Sequence, residues 1–308
     1  MWRQDDGAGA DNTNVTGETF AAQLRSARAP DGGFGPHPGL PAEPEPTALA
    51  TIALDDAEGR AWLEGRQQAS GAIAFDAAVV VNDSATALAA VALEDGGARA
   101  RALDHVEGSL ARTTPSTASV PHDESVHGWA WTEGTFGWVE PTSRAILALR
   151  LLRPRSAAID DGVGMLRDRE SVGGGWNYGN RVVFDVDLPP YAQTTAAALI
   201  ALQGADAELE SRGLAVLHDL WRAERGGALS VAMAAAALHD LWRAERDGAL
   251  SIAMATVALR LHDDADAAEA ERALARAFGA GAPVDTVALA WAAIATGPAL
   301  ERLRAAVG

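Results

Sequence analysis

Four threonines mark the places where this chain has the means to do chemistry. Thr47, Thr86, Thr142 and Thr195 each stand two residues after a polar side chain, in turn Glu45, Ser84, Glu140 and Gln193, and seven residues before Leu54, Leu93, Leu149 and Leu202. That spacing puts the polar residue in the first turn of an apolar helix, where free N–H groups and the dipole attract an anion. Glu45 and Glu140 are the carboxyls placed in this way. The dipole favours the ionised form by about 0.3 to 1 kcal/mol, which lowers a carboxyl pKa by a fraction of a unit. An acid catalyst must instead hold its proton at working pH. On this ground the two glutamates read first as helix caps, then as ligand contacts, and last as acids, an order that burial would reverse.

Around these positions lie aromatic side chains in turns and bridges: Phe34, Trp129, Trp131, Phe136, Trp138, Trp176, Tyr178 and Tyr191. Their π faces suit an apolar chain or a cation, and they serve equally as wedges between repeats. A diphosphate would need a basic cluster, and only Arg144 and Arg181 are near the right places. Gln193 is a binding group that cannot protonate. The loop PHDESVHGWAW gathers His122, Asp123, Glu124 and His127, a possible ligand set for a divalent ion, but its spacing matches no helix-borne zinc motif and it reads as a solvated turn. No metal and no cofactor is assigned. The acidic run HDDADAAEAE from His262 reads as an exposed linker and helix start.

Composition removes other chemistries. The chain has no cysteine, so disulfides, thiolate catalysis and Cys-containing zinc sites are excluded. All 25 basic residues are arginine, so a lysine Schiff base is excluded too. A net charge of −17 makes nucleic acid or an anionic membrane a poor partner and suits a solvated acidic surface. No apolar run approaches the roughly 20 residues of a membrane span. The opening MWRQDDGAGADNTNVTG lacks the basic start and apolar block of a secretory signal, so residues 1–16 are expected to be a disordered lead-in and the protein cytoplasmic. No P-loop, dinucleotide fingerprint or nucleophile elbow is present.

The elements that must position these residues repeat along the chain. Amphipathic stretches at 18–28, 59–68, 97–112 and 156–169 each precede a Gly-rich or polar turn and then a small-residue helix. Pro46 is expected at the first helical position of EPTALATIAL. From Leu217 the sequence LHDLWRAERGGALSVAMAAAA is followed at once by LHDLWRAERDGALSIAMATVA, a duplicated 21-residue segment near 217–258. No turn residue separates the copies, so 229–246 is expected to be one continuous helix. Counting the duplication once leaves six helix pairs. The pattern predicts an all-α fold, an (α/α)6 toroid with apolar helices inside and amphipathic helices outside, occupying 17–308 as a single domain.

The turns DGGFG at Asp31 and GGGWNYGN at Gly173, each followed by a polar bridge and an apolar helix, resemble prenyltransferase and squalene-cyclase repeats over about 18–295. The resemblance implies a toroid with a deep apolar cavity opening where the inner helices begin. Class II terpene cyclases carry a D-x-D-D-T-A motif there. Aligned on threonine, this chain has EPEPTA, NDSATA, WVEPTS and YAQTTA, none a full match, with Glu45, Ser84, Glu140 and Gln193 at the position of the middle aspartate, so the resemblance makes Glu45 and Glu140 the candidate catalytic acids. The zinc site of protein prenyltransferases needs a Cys that this chain lacks. Two functions remain open: a toroid acting on or binding an isoprenoid or similar apolar molecule in its central cavity, and a non-catalytic toroid that binds a lipid or a protein partner.

Overall fold

Side-chain size sorts the helices into two kinds. The computed structural model describes residues 17–73, 83–225, 241–279 and 285–307. One kind is rich in small and aliphatic residues, and most of its described side chains are buried: α2 (Pro44–Leu54), α4 (Asp83–Ala92), α6 (Val139–Leu152), α8 (Ala192–Leu202), α10 (Leu241–Leu261) and α12 (Thr286–Thr296). In α8 every residue except Gln193 is buried. The other kind is amphipathic: α1 (Gly17–Ser26), α3 (Ala57–Gly65), α5 (Gly97–Gly108), α7 (Ala158–Arg169), α9 (Ala207–Arg225) and α11 (Ala267–Gly279). In α1 only Phe20 and Leu24, one turn apart, are buried.

Small side chains let the first kind approach each other closely, and these helices pack in a cycle. α2 touches α4, α4 touches α6, and so on through α8 and α10 to α12, which touches α2 again. The amphipathic helices cover this ring from outside, α1 on α12, α3 on α2, α5 on α4, α7 on α6, α9 on α8 and α10, and α11 on α10. The chain is thus all-α, with inner and outer helices alternating along the sequence. No described helix is long and apolar enough to cross a membrane.

The two ends of the ring differ. At one end the inner helices begin, and the outer-to-inner connections lie there; these include a two-residue hairpin, β1 (Val182–Val183) with β2 (Val186–Asp187), which the sequence did not suggest. At the other end the inner helices stop, and arginines satisfy their last carbonyls. Arg150 donates to Ala201 and Gln203 at 2.7 and 2.6 Å, Arg260 to Ala295 at 2.7 Å, and Arg302 to Ile52 at 2.8 Å. Arg302 belongs to α13 (Pro298–Val307), which touches α2, α6, α10 and α12 and so crosses this end.

Two other expectations change. Pro44, not Pro46, takes the first position of α2, with Glu43 as N-cap. The linker from His262 is not freely exposed: His262 Nδ1 lies 3.3 Å from Glu210 Oε2, its Nε2 faces the Leu199 carbonyl at 3.0 Å, and His218 Nε2 lies 3.0 Å from Asp264 Oδ1. The continuous helix expected over 229–246 falls partly on 226–240, outside the described residues, as does the 1–16 lead-in. Residues 241–246 open α10.

Candidate functional site

The recurring threonines are clamps. Thr47, Thr86, Thr142 and Thr195 are fully buried, and each Oγ1 accepts the backbone N–H of the residue that follows the preceding turn: Phe34 at 2.8 Å, Ile73 at 3.0 Å, Trp129 at 2.9 Å and Trp176 at 3.0 Å. The bond ties each outer-to-inner turn to the first turn of its inner helix. The turn needs glycine at its tightest point. Gly71 has φ +92°, and a Cβ there would lie 2.1 Å from the Arg101 carbonyl oxygen.

With the four first turns held alike, three of the side chains two residues before the threonines meet around one arginine. Arg144 donates from Nη1 to Ser84 Oγ at 2.7 Å and from Nη2 to Glu45 Oε1 at 2.7 Å; Nη2 also pairs with Glu140 Oε1, one helical turn back. Gln193 hydrogen-bonds Glu140 in turn. Helices α2, α4, α6 and α8 each contribute one residue at the same register. Trp131 covers the guanidinium, its ring centroid 5.6 Å from Cζ.

Burial decides the electrostatics. Arg144 and Glu140 side chains are 6% and 7% exposed, while Glu45 at 25% meets solvent. Desolvation, the largest influence on Glu140, pushes its carboxyl above the ordinary 4.5; Arg144 pulls it down, Glu45 pushes it further up, and Gln193 steadies the anion. The dipole argument from the sequence is therefore overruled at this residue. Burial works to lower the Arg144 pKa, but the two glutamates outweigh it and hold the guanidinium more firmly charged than usual.

The ring interior beyond this cluster is narrow. A void of about 10 Å³ is lined by Leu88, Leu147, Ile200, Met254 and Trp291, with Ser143 and Arg144 as its polar lining. Neither Glu45 nor Glu140 lines it. The void is far below the roughly 300 to 1,000 Å³ usual for small-molecule sites. Among the described residues, this void lacks the depth of the cavity implied by the resemblance.

The aromatics divide by place. Phe34, Trp129 and Trp176 are fully buried wedges: Trp129 Nε1 donates to Val106 O at 2.6 Å and Trp176 Nε1 to Leu166 O at 2.7 Å, each reaching an outer helix, and Arg28 stacks on Phe34 at 4.7 Å. Trp131, Phe136, Trp138, Tyr178 and Tyr191 are half-buried or exposed where the inner helices begin. Phe136 packs on Trp138 at 4.8 Å and Tyr178 on Tyr191 at 5.1 Å, both tilted.

The remaining candidates lie apart. Arg181 is exposed and acts electrostatically on Arg169, away from Arg144. His122, Asp123, Glu124 and His127 turn to separate partners, namely Thr114 O at 2.7 Å, Ser125 N at 2.8 Å, Ser116 N at 2.6 Å and Ala111 O at 3.1 Å. Among the described residues, the group whose ligand atoms lie close enough for a cation is His218, Asp264 and Asp266. There Asp264 already accepts the Asp266 N–H at 2.9 Å at the start of α11, besides facing His218.

No protein-family model matches the chain, and no curated protein does. Among solved structures it is similar to a crystallised protein from Actinoplanes, with 13% identity, a TM-score of 0.52, and coverage of 95% of this chain and 99% of that one. At that identity the likeness is one of fold.

Proposed function

We propose that this protein is a non-catalytic ring, built like the terpenoid-cyclase and prenyltransferase toroids, that holds a protein partner on the end where its inner helices begin. One observation carries the reading. The exposed large apolar side chains among the described residues, Leu40, Phe136, Val172, Tyr178, Phe184 and Val186, all fall in the outer-to-inner connections, and so at that end. Phe184, at the hairpin tip, is 76% exposed. Apolar surface gathered in this way marks an interaction face.

Two further points support it. The void is small for an isoprenoid, and a molecule in it would meet Arg144, a fixed cation that opposes a carbocation, before either glutamate. The glutamates are engaged by Arg144 rather than free to act. The test is a photoreactive benzoylphenylalanine at position 184 and, as control, at exposed position 94 on the opposite end. The reading expects a discrete cross-linked species from 184 that excess unlabelled protein competes away and a Phe184→Ser/Val186→Ser variant does not. Equal labelling from both positions, or none from 184, would count against it.

A second reading, acid catalysis on an isoprenoid, is favoured by the upward shift of the Glu140 pKa, since burial moves this carboxyl in the direction a general acid requires. It expects turnover of squalene or a prenyl diphosphate that disappears in Glu140→Gln.

A further inference from the structure

A second polar site lies outside the ring, and its charge runs against that of the protein. A cavity of about 20 Å³ opens between the C-terminal end of α7, the α5–α6 connection and Asn180. Its lining includes Arg112, Thr113, Thr114, His127, Arg169 and Asn180, and no carboxylate, in a chain of net charge −17. A wider depression of about 690 Å³ shares Arg112, Thr113 and His127 with it and adds Leu110.

Arg169 is the unusual residue. It is 8% exposed, and its Nε is buried with no hydrogen-bond acceptor. Asp168 pairs with its Nη1, but the other Asp168 oxygen accepts the Asp123 N–H at 3.1 Å, so this acid is shared. Burial lowers the Arg169 pKa to about 10, with Asp123 opposing and Arg181 adding to the fall. A guanidinium in that condition gains from an incoming anion. Arg112 is exposed and has no ion pair among the described residues. The His127 Nδ1 faces the Ala111 carbonyl at 3.1 Å, which leaves Nε2 as the ring's remaining polar atom.

We infer that this is a binding site for a phosphomonoester, with the phosphate between Arg169 and Arg112 and the ester group in the wider depression beside Leu110. Two guanidiniums, two threonine hydroxyls, an imidazole and an amide offer more donors than a carboxylate can accept, and they suit the three terminal oxygens and double charge of a phosphate. The inference stands apart from the partner face and from the Arg144 cluster, and neither needs the other.

The test is isothermal titration of the full chain with inorganic phosphate and with phenyl phosphate at fixed ionic strength. Saturable binding of both is expected, phenyl phosphate tighter. Arg112→Gln, on an exposed side chain that folding does not need, should weaken both at least about tenfold, the loss of one charge-assisted contact. Arg169→Gln should abolish binding, and Arg25→Gln, exposed on α1, should leave it unchanged. No saturable phosphate heat, or equal affinity in Arg112→Gln and Arg25→Gln, overturns the site. Phenyl phosphate binding no tighter than phosphate overturns the place given to the ester.

Discussion

Replacing Arg144 with methionine removes the one cation from a group holding two carboxylates. Glu140, 7% exposed, would keep only Gln193 as a donor, while Glu45, 25% exposed, would turn to solvent. Breaking a buried pair from one side costs about 3 to 5 kcal/mol. For a chain of this length that lowers Tm by about 6 to 10 °C, taking roughly 2 °C per kcal/mol. The cost must also depend on pH. Glu140 already has a folded pKa above its ordinary 4.5, so the stability it contributes is full below about 4.5 and is lost as pH rises through the folded value. Without Arg144 that value climbs further, and the deficit is largest at alkaline pH. Urea unfolding at pH 5.5 and 8 measures both effects. Adding Glu140→Gln to Arg144→Met should restore roughly half or more of the loss at pH 8, because an amide needs no counter-charge. A single variant that loses less than about 1 kcal/mol at pH 8, or a double variant as unstable as the single, would refute the reasoning.

Glu140→Gln alone should flatten the decline in stability above pH 4.5, read from the same urea series, because the group whose proton is lost is gone. Thr195→Val removes the acceptor of the buried Trp176 N–H and should cost about 1 to 3 kcal/mol in urea unfolding. Trp129→Phe removes the indole donor to the Val106 carbonyl, which keeps its bonds from Ser109, and opens a gap between repeats, with a loss that differential scanning calorimetry would detect. Gly71→Ala should lose more than about 1 to 2 kcal/mol, the cost of the left-handed backbone alone, since its Cβ also meets the Arg101 carbonyl.

Much of this architecture was legible because it rests on local pattern. Small-residue helices read as inner and amphipathic ones as outer, since only the first can pack on all sides. The register of Glu45, Ser84, Glu140 and Gln193 was legible from the threonine spacing, although the work of the threonine hydroxyls was not, because each bonds a residue across a turn. Arg144, read from the sequence as one of two arginines near where a diphosphate would lie, is paired with the glutamates. Its partner Glu140 stands one turn before it, but Glu45 is 99 positions away and Ser84 60, separations that only the closed ring bridges. The dipole argument misjudged Glu140 because desolvation is a property of the fold. The aromatics carried a readable signal after all: in WNY and WAW the first tryptophan, whose N–H the threonine takes, is the wedge, and the later ring faces the rim. The C-terminal arginines escaped notice because the carbonyls they cap belong to other repeats.

The central claim is that the void beside Arg144 is too small for an isoprenoid and that Arg144 holds the two carboxyls. Photolabelling with a C15 isoprenoid probe, mapped by peptide mass spectrometry, tests it most directly. The account predicts no label on Leu147, Met254 or Trp291, the residues lining the void. Saturable labelling of those residues, competed by unlabelled isoprenoid, would contradict it.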